Sequence, residues 1–166
     1  MGLFPELDKK ATISNVRKFF DDGQYQKIKR NALSDGIKAQ VNDITGIRGS
    51  SRGNSSERMM IYYAECAQAK RAILKAVDAC SVASQDIMKL RYMRQLKVWK
   101  VKEQLTHDLG HTSYSDSDKF ACLEFAEACD RFALEMNVDP EILPVFLEFE
   151  KAGTNQEQNG KEIGTK

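Results

Sequence analysis

Cysteines, histidines and a glycine-rich run are the residues of this chain best suited to chemistry, and their spacing assigns them little of it. Cys66, Cys80, Cys122 and Cys129 include no C-x-x-C pair. Cys122 and Cys129 lie seven apart, an interval typical of small core residues on one helix, so free thiols in a reducing compartment are expected. His107 and His111 are four apart and can share a helix face, but the H-E-x-x-H arrangement is absent and further zinc ligands would be needed. In "TGIRGSSRGNSS" the glycines suit a phosphate loop, yet no Gly-Lys-Ser/Thr follows them, which argues against nucleotide binding. There is no G-x-S-x-G elbow, and the carboxylates of the C-terminal half are scattered as on solvated helix faces. No catalytic residue, metal ligand or cofactor is assigned, and a non-enzymatic protein is expected.

The strongest chemical signal is charge. "KLRYMRQLKVWKVK", residues 89–102, carries six basic side chains and no acidic one, in a chain whose net charge is only +1. Residues 1–102 hold 20 Lys/Arg against 10 Asp/Glu, and residues 103–166 hold 5 against 14. A block of one sign steers polyanions toward itself. Alternatively, the two halves neutralise one another on folding.

These residues must be positioned by helices. A chain of 166 residues suits one domain with a moderate core. No apolar run approaches the ~20 residues of a membrane span. "MGLFPELDKKAT" lacks a signal peptide's apolar core and cleavage site, and Glu6 stands where myristoylation wants Ser or Thr, so a cytoplasmic protein without a membrane partner is expected. "TISNVRKFF" spaces Ile13, Val16 and Phe20 along one stripe, and Tyr25, Ile28 and Leu33 suggest a second short helix. "SDGIKAQVNDI" alternates like a short strand or extended chain, and "TGIRGSSRGNSS" reads as a mobile loop, on which Arg48 and Arg52 can touch phosphates or stand solvated.

A long helix begins near Asn54, with Met60, Ala64, Ala67, Leu74 and Val77 on its buried side. The next helix, 84–96, turns Ile87, Leu90, Tyr92 and Met93 inward, and another spans about 98–109, marked by Trp99, Val101, Leu105 and Leu109. "KFACLEFAEACDRFALEM" gives a strong stripe through Phe120, Leu123, Ala126 and Cys129, and Asp139-Pro140 opens a last helix that Pro144 limits. The expected fold is all-α. It divides into N-terminal helices and loop (1–53), a helical domain (54–152) and a disordered tail (153–166) with almost nothing to bury.

The succession of helices 84–96, 98–109 and a third after "GHTS" has the order of a helix-turn-helix. "LFPELDKKATISNVRKFF", "DITGIRGSSRGNSSE", "SQDIMKLRYMRQL" and "ACLEFAEA" resemble, in order, four segments of the ArpU-type phage and autolysin transcriptional regulators. The resemblance covers roughly residues 3–133. It implies a sigma-factor region-4-like helix-turn-helix and a bacterial or prophage regulator of late or lysis-associated genes. The family's Leu-Gly-Tyr-Ser turn is here Leu109-Gly110-His111-Thr112, which lengthens the second helix and shortens the third.

Double-stranded DNA is therefore the expected partner, with RNA polymerase a further candidate and homo-oligomerisation open. Lys89, Arg91, Arg94, Lys97, Lys100 and Lys102 are the phosphate candidates, and Ser113, Tyr114, Ser115, Ser117 and Lys119 the groove candidates. Asp116 and Asp118 in the same third helix would repel phosphates unless they turn away or accept from cytosine amino groups. Two other functions compete. One is a protein-interaction module acting through acidic C-terminal helices; the other is a small terminase-like packaging subunit, whose ring-forming segment would be residues 54–80.

Overall fold

The computed structural model describes residues 5–32, 53–105, 109 and 112–150. The sequence expectations for the strand near 34–44, for Arg48 and Arg52, for His107 and His111, and for the tail 153–166 lie outside them. Among the described residues the chain is all-helical apart from one isolated antiparallel bridge, Leu7 with Phe149.

Helix α1, Lys9–Asp21, starts where the Asp8 carboxylate accepts the Ala11 N–H at 2.9 Å, an N-cap worth ~1 kcal/mol. It buries Thr12, Val16, Phe19 and Phe20, the spacing of one helical face. Gly23 takes the left-handed φ of 74° that lets α1 turn at once into α2, Gln24–Asn31. Tyr25 and Ile28 carry α2 into the same core.

Helix α3, Gly53–Ala79, is 27 residues, ~40 Å long. Its C-terminal half is buried through Cys66, Ala69, Ala72, Ile73, Ala76 and Val77. These small residues let it lie close against α6, Tyr114–Glu135, which answers with Ala121, Cys122, Ala126 and Cys129. The expected buried side of α3 is only partly realised. Val77 is buried, but Met60 and Ala64 are exposed because the N-terminal half of the helix extends beyond the packed core, and Leu74 is exposed on the side of the C-terminal half opposite Ala72 and Ala76. Phe120 on α6 and Trp99 likewise point to solvent rather than inward.

Helix α4, Val82–Ile87, runs directly into a π-helical turn, Met88–Met93, that buries Met88 and Tyr92. Gln95 then takes a left-handed φ of 54° while Leu96 N–H bonds back to Leu90 O at 3.0 Å, which ends the π turn. Helix α5, Val98–Gln104, is shorter than expected. Leu105 is already extended, with ψ of 122°, so the helix ends at Gln104 and not at 109.

The expected helix after Pro140 is absent. Asp139 caps a single turn, accepting Glu141 N–H on its side chain and Ile142 and Leu143 N–H on its carbonyl. Pro144 cannot donate the next helical bond and would clash with the preceding turn. The chain instead runs irregularly to Glu150. The Asp130 carboxylate receives Phe146 and Leu147 N–H, the Thr12 hydroxyl receives Glu148 N–H, and the bridge at Leu7 closes it onto α1. Phe19, Phe20, Tyr25, Tyr92, Phe125 and Phe146 form the aromatic centre, with neighbouring ring centroids 5.1 to 5.7 Å apart. Helices α1 and α2 therefore share one core with α3, α4, the π turn and α6.

Candidate nucleic-acid interface

The basic stretch lies on three short pieces of backbone: the π turn, the left-handed stop at Gln95, and α5. Each piece holds its side chains differently. Arg91 is half-buried and structural, donating to Leu96 O at 3.4 Å with its guanidinium 5.8 Å from the Tyr92 ring centroid. Lys89 is exposed but tied toward α3 and α4, donating to Gln85 Oε1 at 3.2 Å and lying 3.6 Å from Asp78. Arg94, Lys97, Lys100 and Lys102 are exposed and have no carboxylate partner among the described residues. Lys100 Nζ sits 5.3 Å from the ring centroid of Trp99, itself 55 % exposed. Four cations and an exposed indole thus crowd one short segment, a composition suited to phosphates and to stacking on a flat group.

The groove candidates are similarly divided. Ser113 caps α6, its hydroxyl accepting Asp116 N–H at 3.2 Å and also lying 2.8 Å from the Asp116 carboxylate. That contact and the nearby Lys119 cation, 3.5 Å away, hold Asp116 below the usual carboxylate range. Ser115 and Lys119 are exposed, and Ser117 is half-buried. Tyr114 does not point to solvent: its hydroxyl is buried without a hydrogen-bond partner, and burial, with Asp118 nearby, pushes it up to about 12. Lys102 Nζ lies 5.5 Å from the Tyr114 ring centroid, which ties α5 to the first turn of α6. Leu109 and Thr112, joined by a Thr112 N–H bond to Leu109 O at 3.2 Å, are the described remnants of the connection between these helices.

The structure adds a polar network that pattern reading does not single out. Asp118, 7 % exposed, accepts Arg17 Nη2 at 2.6 Å and the Tyr92 hydroxyl at 2.9 Å. The Cys122 thiol donates to the same hydroxyl at 3.3 Å. Burial, reinforced by Cys122 and the Asp118 carboxylate, raises the Tyr92 hydroxyl far above its usual value, so it remains a donor. A signal was present in the sequence. Asp118 continues the stripe of Cys122, Phe125 and Cys129 by spacings of three and four, and a carboxylate heading a buried stripe demands a buried partner. The partner, Arg17, lies 101 positions away, beyond any local pattern.

Compared with known protein families, curated proteins and solved structures, the chain matches none. No helix among the described residues is long and apolar enough to cross a membrane.

Proposed function

We propose that this protein is a transcriptional regulator of the ArpU type that binds duplex DNA. Residues 94–102 clasp phosphates, and the first turn of α6, through Ser115 and Lys119, meets the groove. The observation that carries the reading is the set Arg94, Lys97, Lys100 and Lys102, exposed and without carboxylate partners on the segment leading to α6. A second observation removes an objection. Asp118 faces Arg17 and Tyr92 rather than the outside, which leaves Asp116, bridged to Lys119, as the acidic group at the exposed start of α6. The order of helices α4, α5 and α6 and the four family-like segments support a helix-turn-helix role, with late or lysis-associated genes as targets and RNA polymerase as a further partner.

The experiment is a salt titration of binding to the native upstream DNA and to a scrambled duplex. Affinity should fall steeply with salt because phosphate contacts release counterions. Changing Arg94, Lys97, Lys100 and Lys102 together to Gln should weaken both complexes alike and flatten the log–log slope by about 1 per lost contact. Ser115→Ala or Lys119→Ala should instead alter the preference between the two duplexes. A folded wild-type protein that binds neither duplex at low salt refutes the reading.

A further inference from the structure

A second set of basic side chains stands on α1, outside residues 94–102. Helices α1 and α6 do not close over one another along their outer edge but leave a groove of about 910 Å³. Its apolar surface comes from Ile13 and Leu123, and Lys9, Lys10, Lys18 and Lys119 stand around it. Lys9, Lys10 and Lys18 are exposed and form no ion pair among the described residues. Arg17 also reaches the groove but is already committed to Asp118. Asp21 and Asp22, at the C-terminal end of α1, give the same groove an acidic end.

We infer that this groove docks an acidic amphipathic helix of a partner protein. Two properties of the occupant follow from the lining. An apolar floor between lysines excludes a purely ionic ligand, because Ile13 and Leu123 would stay wet beneath it. The excess of lysines over carboxylates calls for negative charge along most of the occupant's length, and Asp21 and Asp22 call for a cation or a neutral end where they stand. Duplex DNA fits poorly, since its phosphates would meet the lysines, leave the floor uncovered and approach Asp21 and Asp22. A helix fits in length: α1 has 13 residues, ~20 Å, enough for apolar anchors at i, i+3 or i+4, and i+7 laid into a groove with acidic residues flanking them.

The test uses the full chain and a fluorescein-labelled model helix of about 13 residues, the length of α1, with a leucine stripe flanked by glutamates. Three control peptides accompany it: Glu replaced by Gln, Leu replaced by Ser, and Glu replaced by Lys. Fluorescence anisotropy should show the acidic amphipathic peptide binding at least about tenfold more tightly than any control, a difference of ~1.4 kcal/mol. Lys10→Glu with Lys18→Glu, both at exposed positions that leave residues 94–102 intact, should weaken it by about tenfold or more while duplex binding stays within about twofold. Single Lys10→Gln and Lys18→Gln variants should give intermediate losses, and circular dichroism should show unchanged helix content. Equal binding of the Gln peptide would overturn the inference, as would loss of binding from Leu→Ser without any dependence on charge. So would displacement of the peptide by duplex DNA together with impaired duplex binding in the double variant, because the groove would then belong to the DNA surface. A change in oligomeric state of the double variant, read by light scattering, would assign the groove to a second copy of the chain instead.

Discussion

Replacing Asp118 by Ala should be among the most damaging polar substitutions in this protein, and the structure sets its size. The carboxylate holds two groups: Arg17 at 2.6 Å and the Tyr92 hydroxyl at 2.9 Å. The Arg17 side chain is 41 % exposed, so when its partner is lost it turns to water, and that half of the loss is ~1 kcal/mol or less. Tyr92 has no such exit. It is buried under Phe20 and Cys122, and a buried hydroxyl donor that loses its acceptor costs ~1–3 kcal/mol. The expected total for Asp118→Ala is therefore ~1–4 kcal/mol. Asp118→Asn keeps an acceptor for Tyr92 and should cost about half as much, and Arg17→Gln ~1 kcal/mol. Urea unfolding at pH 7, followed by circular dichroism, measures all three, and a Tyr92→Phe background isolates the hydroxyl term through a double-mutant cycle. In that background Asp118→Ala should lose most of its effect beyond the Arg17 contribution. The reasoning fails if Asp118→Ala lies within about 0.5 kcal/mol of wild type, or if Arg17→Gln is the costlier change.

Three further outcomes are expected. Phe20→Ala empties the aromatic centre where Tyr25, Tyr92 and Phe125 meet and should cost ~3–5 kcal/mol in the same unfolding assay; a loss below about 1 kcal/mol would contradict that packing. Burial holds Asp130 above the ordinary 3.8, despite the opposing Leu147 and Phe146 N–H bonds, whereas Ser113 and Lys119 hold Asp116 below it. Stability from Asp130 is thus present below 3.8 and lost as pH rises through its raised value, while that from Asp116 is present above 3.8 and lost as pH falls; carboxyl NMR titration should find Asp130 titrating after Asp116. Burial raises all four thiols, Cys122 to about 11 and Cys80 to about 12, so a disulfide-exchange reagent at pH 8 should label none until urea unfolds the chain, and one rapid native equivalent would show an opening the structure lacks.

The helices were legible where periodicity and a cap agree. Val16 with Phe20, and Ala126 with Cys129, lie on faces that are buried as the spacing requires. Met60, Leu74 and Phe120 lie on similar stripes but reach solvent, because periodicity defines a face and not the neighbour that would cover it. The stop at Gln104 depends on the backbone of Leu105, and Leu is an ordinary helix former that gives no warning. Pro140 after Asp139 suits a helix start, but the bonds to Asp130 and Thr12 hold the following chain irregular. At the candidate interface, the exposed cations follow from composition, since charged side chains seldom bury unpaired. That Arg91 and Tyr114 are structural does not follow from it, because both are fixed by folding of the π turn against the start of α6.

The division of charge along the chain left open whether the halves neutralise one another or serve partners. Three ion pairs occur among the described residues. Lys89 with Asp78 lies within the basic half, and Lys119 with Asp116 within the acidic half. Only Arg17 with Asp118 joins the two, and it does so at the core edge, where it fixes α1 to α6 and contributes little to surface neutralisation. Direct pairing between halves therefore consumes one cation and one carboxylate of the described set, leaving Arg94, Lys97, Lys100 and Lys102 on one surface and Lys9, Lys10 and Lys18 on another. Like charges held this close repel and lower stability slightly, a cost with no structural return within the fold. Anionic partners at each surface would relieve it, and the two surfaces differ in the partner they suit. The segment at 94–102 presents an exposed indole among its cations, whereas the α1–α6 groove presents an aliphatic floor beneath them. A flat or extended polyanion is served by the first, and an acidic helix with an apolar face by the second.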